Sequence, residues 1–173
     1  MSPAALLTTL AMLGEAPKEP ATSCTVSGEF QKTTWGMSVE RVRQLYPRSQ
    51  LHYRGGDPLL VDESIGEVAG FDVQHVAFAF SAEKRLRVVA VYFKNSDSSL
   101  EAGTFVRRLA EELTSRFGLP SLGRDPKKGP PFRVGWECRK GAILLSVESP
   151  EGGAREITLN YVSDSFKESA SGF

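Results

Sequence analysis

Histidine and cysteine are scarce, with two of each in 173 residues. The cysteines, Cys24 and Cys138, make no C-x-x-C pair, which excludes a zinc ribbon and a thioredoxin-like redox site. The histidines, His52 and His75, join no Ser/His/Asp or Cys/His grouping that spacing singles out, and each reads as a structural residue. Net charge is missing too. The 21 lysines and arginines are balanced by 21 aspartates and glutamates. That balance argues against a nucleic-acid binder, whose affinity comes largely from neutralising phosphates. No apolar run reaches the roughly 20 residues that a bilayer-spanning helix needs.

What remains is the profile of a globular protein, 40% hydrophobic and 24% charged. The length suits one domain, large enough to bury about 68–70% of its unfolded surface without a metal or a staple. Three regions are expected. Residues 1–21 form an apolar leader and a linker, residues 22–163 a single domain, and residues 164–173 a polar tail. Within the leader, Pro3 to Gly14 has the length of a signal-peptide apolar core but lacks the basic stretch that should precede it. The other reading is a short apolar helix docked on the domain. Ala21 to Cys24 faintly matches a lipoprotein cleavage box, with alanine where leucine is usual. The expected location is periplasmic or secreted, with cytoplasmic as the alternative.

Cys24 alternates in phase with Val26 and Phe30, and Cys138 with Phe132, Val134 and Trp136, so each cysteine points to the apolar side of its strand. In an oxidising compartment a Cys24–Cys138 disulfide is expected. It would close a loop of more than a hundred residues, worth about 4–5 kcal/mol in the chain-entropy model. The alternative is two buried thiols that never meet.

The segment Trp35-Gly36-Met37-Ser38-Val39-Glu40-Arg41-Val42 reads as a tight turn and a helix opening. Ser38 is the N-cap and Glu40 complements the helix dipole. Val39, Val42 and Leu45 are the apolar positions, and Pro47 ends the run. Beyond it the Gly55-Gly56-Asp57-Pro58 turn and short strands at 59–61 and 65–71 are expected. The strongest strands are Asp72 to Ser81 and Leu86 to Lys94, joined as an antiparallel hairpin. A longer helix, Ser99 to Phe117, carries the stripe Ala102, Phe105, Val106, Leu109, Leu113 and Phe117. Gly118 and Pro120 end it. Strands at 132–138, 142–148 and 155–162 close the domain. The fold class is α+β: two layers, with two helices on one face of a twisted antiparallel sheet, each half repeating the order helix then strands, an α-β-β-β duplication.

The motif Gly36-Met37-Ser38-x-x-x-Val42 resembles the G-M-[ST]-x-x-x-V helix opening of small bacterial envelope proteins, among them β-lactamase-inhibitor-like domains and small outer-membrane assembly lipoproteins. Trp35 extends the likeness to secreted bacterial proteins with W-G-M-S. The helix-ending Gly-x-Pro of that pattern stands here on the second helix, at Gly118 and Pro120. The resemblance implies an exported α+β domain that binds a protein or an envelope component, and it supplies no catalytic residues.

Other motifs point to no chemistry. Asp57, Asp62, Glu63, Glu67 and Asp72 are dense but lack the spacing of an EF-hand loop. Gly55-Gly56 and Gly152-Gly153 match no phosphate-binding fingerprint. Lys127-Lys128 and Arg139-Lys140 read as solvated turns. No catalytic residue, metal ligand or cofactor is assigned. The expected function is non-catalytic binding, with a small hydrolase-like enzyme or a cytosolic accessory domain as alternatives. Strict alternation from Leu86 places Val89, Val91 and Phe93 on the outer sheet face beside Leu144, as a partner surface. Trp35 is a second candidate anchor, or else a staple of the incoming chain against the first helix.

Overall fold

A computed structural model of the chain describes residues 30, 32–94, 99–123, 132–138, 140–148 and 156–164. The leader, Cys24, the 125–131 loop apart from the strand that follows it, the Gly152-Gly153 turn and most of the tail lie outside the described residues.

The first helix, α1 (Val39–Leu45), begins where the sequence places it. Ser38 is extended and its hydroxyl accepts from the Arg41 N–H at 3.3 Å. Gly36 sits at φ +83, where a side chain would be strained. The turn before α1 is pinned to a distant strand. Gly36 N–H donates to the Leu86 carbonyl at 3.0 Å, and Leu86 N–H donates to the Met37 carbonyl at 2.8 Å.

Five strands follow: β1 (Gln50–Arg54), β2 (Asp57–Asp62), β3 (Glu67–Val68), β4 (Phe71–Phe80) and β5 (Leu86–Phe93). Then come α2 (Ser99–Phe117), β6 (Leu122–Gly123), β7 (Phe132–Cys138), β8 (Gly141–Glu148) and β9 (Glu156–Ser163). The sheet runs in the order β1-β2-β4-β5-β9-β8-β7-β6, all neighbours antiparallel, with β3 paired to the start of β4. The two final strands of the two halves, β5 and β9, therefore meet at the centre. Among the described residues the chain is α+β, with one antiparallel sheet and two helices.

Alternation sorts the strands onto two faces. One face carries Leu60, Val76, Phe78, Val89, Val91, Val134, Trp136, Ile143, Leu145, Leu159 and Tyr161, all buried. These side chains share one apolar cluster with Val39 and Val42 of α1 and Val106, Leu109 and Leu113 of α2. Phe105 meets Phe71 at 5.0 Å and Phe93 at 5.5 Å between ring centroids. Trp136 Nε1 donates to the Gly118 carbonyl at 2.8 Å, which ties the end of α2 to β7.

Here one expectation fails. Val89, Val91 and Phe93 are 0%, 0% and 3% exposed. They lie on the core face, with Val89 opposite Phe78 and Val91 opposite Val76. The cause is a register irregularity at the hairpin end: Phe80 pairs with Leu86 but Ala79 pairs with Val88. Arg87 is the extra residue, and one extra residue flips every later side chain to the other face. The partner surface cannot include these three. On the other strands the expected phase holds. Arg133, Glu137, Leu144, Ser146, Thr158 and Asn160 do share the reverse face with His75, Ala77 and Ala79.

Candidate functional site: the reverse face of the sheet

With the large apolar side chains turned to the core, the reverse face is built from small and polar residues. Cross-strand register puts His75, Tyr92, Thr158, Ser146 and Arg133 in one row across β4, β5, β9, β8 and β7. The next row reads Val61, Ala77, Ala90, Asn160, Leu144 and Gly135. A third reads Leu59, Ala79, Val88, Val162 and Ala142. Leu59, Val61, His75, Val88, Tyr92, Leu144 and Asn160 are half-exposed, whereas Ala77, Ala90, Ser146, Thr158 and Val162 are buried. Small residues along the centre leave the larger flanking side chains standing higher on the surface.

The polar row is ordered by its own contacts. The His75 and Tyr92 rings stack at 4.2 Å with an interplanar angle of 19°. Partial burial holds His75 below the usual imidazole range, against an opposing pull from Glu63 and Glu156. Burial likewise pushes the Tyr92 phenol up, with Glu156 adding to it and Arg54 opposing it. Both side chains are therefore uncharged at neutral pH and available as hydrogen-bonding groups. Asn160 Nδ2 lies 3.4 Å from Thr158 Oγ1. At the outer end Arg133 pairs with Glu148 at 2.8 Å. Chemically the face offers hydrogen-bonding groups along one margin and apolar side chains along the other.

The remaining candidates fall elsewhere. Leu144 lies on this face, half-exposed. Trp35 is half-buried and packs against the core cluster beside the start of α1. His52 is exposed on β1 and lines an open pocket of about 300 Å³ with Arg48, Gln50, Val61, Glu63 and Ser64. His52 and His75 are not brought together. Of the acidic residues, Asp62 is buried and caps its own turn, accepting from Ser64 N at 2.8 Å and Ser64 Oγ at 2.6 Å. Among the described residues no three His, Cys, Asp or Glu side chains form a metal-holding group, and no helix is long and apolar enough to cross a membrane. Cys138 is buried and disulfide-bonded, and Cys24 lies outside the described residues.

The reverse-face row joins residues far apart in sequence, from His75 to Thr158. What sequence could show was each strand's alternation; the cross-strand neighbours needed the pairing of β5 with β9. Comparison with protein-family models, with curated proteins and with solved structures finds no match.

Proposed function

We propose that this chain is an exported, non-catalytic binding domain that engages another protein or an envelope component through the reverse face of its sheet. The observation that carries this is the face itself: half-exposed Leu59, Val61, Val88 and Leu144 beside a polar row that is uncharged from His75 to Ser146 and ends in the Arg133–Glu148 ion pair. Mixed surfaces of that kind are how proteins recognise proteins. The architecture is proposed as two layers built by duplication. It is supported by helices that share the core cluster and by two halves that each run helix then strands and meet at β5 and β9. The likeness of Gly36-Met37-Ser38 to small bacterial envelope proteins belongs to the same proposal. Export is supported by the disulfide-bonded state of Cys138, because disulfides persist in oxidising compartments.

The test is site-specific photo-crosslinking in the native cell from Leu144 and from Val88, with Glu40 on α1 as the control position. The reading expects one recurrent partner from the two sheet positions and none from Glu40. Its binding to the purified chain should fall at least tenfold in Tyr92→Glu with the thermal midpoint kept. Equal capture from all three positions, or a partner whose binding ignores Tyr92→Glu, refutes it.

A further inference from the structure

The edge of the sheet carries a second surface. β1 stands at one end of the strand order, and no described strand pairs with its outer side. All five of its residues are exposed, with Leu51 at 38% and Tyr53 at 68%. Edge strands of antiparallel sheets are usually guarded by shortness, proline, lysine or a bulge. The opposite edge is guarded in that way, since β6 has only two residues. β1 is less guarded: its sequence, Gln-Leu-His-Tyr-Arg, has no proline or lysine, its one full charge, Arg54, stands at the turn end, and its register with β2 runs without a shift.

The hairpin fixes which backbone groups face out. Arg54 pairs with Asp57 across the two-residue loop Gly55-Gly56, whose φ values of +61 and +97 make it a type I′ turn. In such a hairpin the residues flanking the loop are a hydrogen-bonded pair, and hydrogen-bonded and non-bonded pairs then alternate. Arg54, His52 and Gln50 thus bond inward to β2. Leu51 and Tyr53 aim their N–H and C=O groups outward.

We infer that β1 is the contact strand of a symmetric dimer, pairing antiparallel with β1 of a second copy and centred on His52. The sequence of the strand is complementary to itself in that one register. Leu51 falls opposite Tyr53 of the partner subunit, twice over, on the side where their neighbours are Leu60 and Pro58. These are the residues with outward backbone groups, so the hydrogen-bonding phase and the apolar pairing agree. On the reverse side Gln50 faces Arg54 of the partner subunit, whose guanidinium is brought towards Glu63 at the rim of the 300 Å³ pocket. Shifting the register by two residues either way sets Leu51 opposite Leu51 of the partner subunit, or Tyr53 opposite Tyr53 of the partner subunit, and leaves the other apolar side chain against Ser49 or Gly55. A five-residue ladder is a small interface, of the class under about 1,200 Å² that gives weak, exchanging complexes.

Sedimentation equilibrium of the full chain tests the dimer. The apparent mass should climb from 18.9 kDa towards twice that value as concentration rises from micromolar to millimolar. Leu51→Pro removes one outward N–H and no bond to β2, and should weaken self-association at least tenfold. Leu51→Lys keeps the backbone and serves the same purpose if the proline variant fails to fold. The register has its own readout. His52→Cys places the new thiol against its own copy and should give a covalent dimer under mild oxidation, whereas Leu51→Cys should not. A wild type that stays monomeric at millimolar concentration overturns the proposal. So does association that survives both Leu51 variants, or crosslinking at 51 in place of 52. A monomer that instead takes up an extended peptide from another protein along β1 also overturns it.

Discussion

Replacing Leu109 with alanine tests whether α2 holds the sheet. Leu109 is 0% exposed and sits between Val106 at 5% and Leu113 at 2% on the same helix stripe. The substitution removes three carbons from a site fully out of water, a transfer loss of about 2 kcal/mol at roughly 0.8 kcal/mol per methylene-sized group. The surroundings relax only partly, so a residual cavity adds to this, and buried leucine deletions span about 2.7–5.0 kcal/mol. The better helix propensity of alanine returns only a few tenths. A loss near 3 kcal/mol follows. With a urea m-value of about 2 kcal/mol per molar for a domain of this size, the midpoint should fall by about 1.5 M with m unchanged. Equilibrium urea unfolding followed by tryptophan fluorescence is a direct assay, because Trp136 touches the end of the same helix. Arg107→Ala, two residues away on the opposite, exposed face, is the control and should move stability by less than about 0.5 kcal/mol. A Leu109→Ala midpoint within 0.3 M of wild type, in the same ~1.5 M-scale assay, would refute the packing of α2 as the source of core stability.

Gly103 lies inside α2, exposed, with no atom within 4 Å of an added Cβ. Gly103→Ala should therefore stabilise by about 0.5–1 kcal/mol and raise the thermal midpoint. Gly123 is the opposite case, since an added Cβ would overlap the Arg133 carbonyl oxygen within β6–β7. Gly123→Ala should open that pairing, seen as faster amide exchange on β7 without loss of the β8–β9 pairing. For pH, His75 is held below its ordinary 6.5 by burial, so the unfolded chain binds its proton first as pH falls. Stability is thus fully present above about 6.5 and declines as pH drops through the folded value. His75→Gln should flatten the unfolding free energy between about pH 7 and 5, and an unchanged slope would show that another group governs it.

Much of the fold was legible because its signals are local. The Ser38 cap, the Pro47 stop, the stripe of α2 and its Gly118 end depend on neighbours within a few positions, and the structure places them where the sequence does. The strand phases of β7, β8 and β9 could likewise be read, since alternation continues without interruption along each. β1 was missed because its five residues are exposed, and an edge strand lacks the half-buried alternation by which strands announce themselves. β6 was missed because two residues carry no period.

The surface assignment turned on a single residue. Sequence by itself determined that Val89, Val91 and Phe93 share one side of their strand, because side chains alternate whatever the strand pairs with. Which side that is was decided by the register irregularity at Ala79 and Phe80, where Arg87 takes the extra place. A hairpin's bulge follows from how turn and twist are accommodated between two strands, and no pattern within one strand records it. The same limit separates His75 and Tyr92, seventeen residues apart and visible singly, from the stacked pair that register makes of them. Local chemistry set the elements and their periods; cross-strand pairing, a property of the assembled sheet, decided which side chains form the core and which stand on the reverse face.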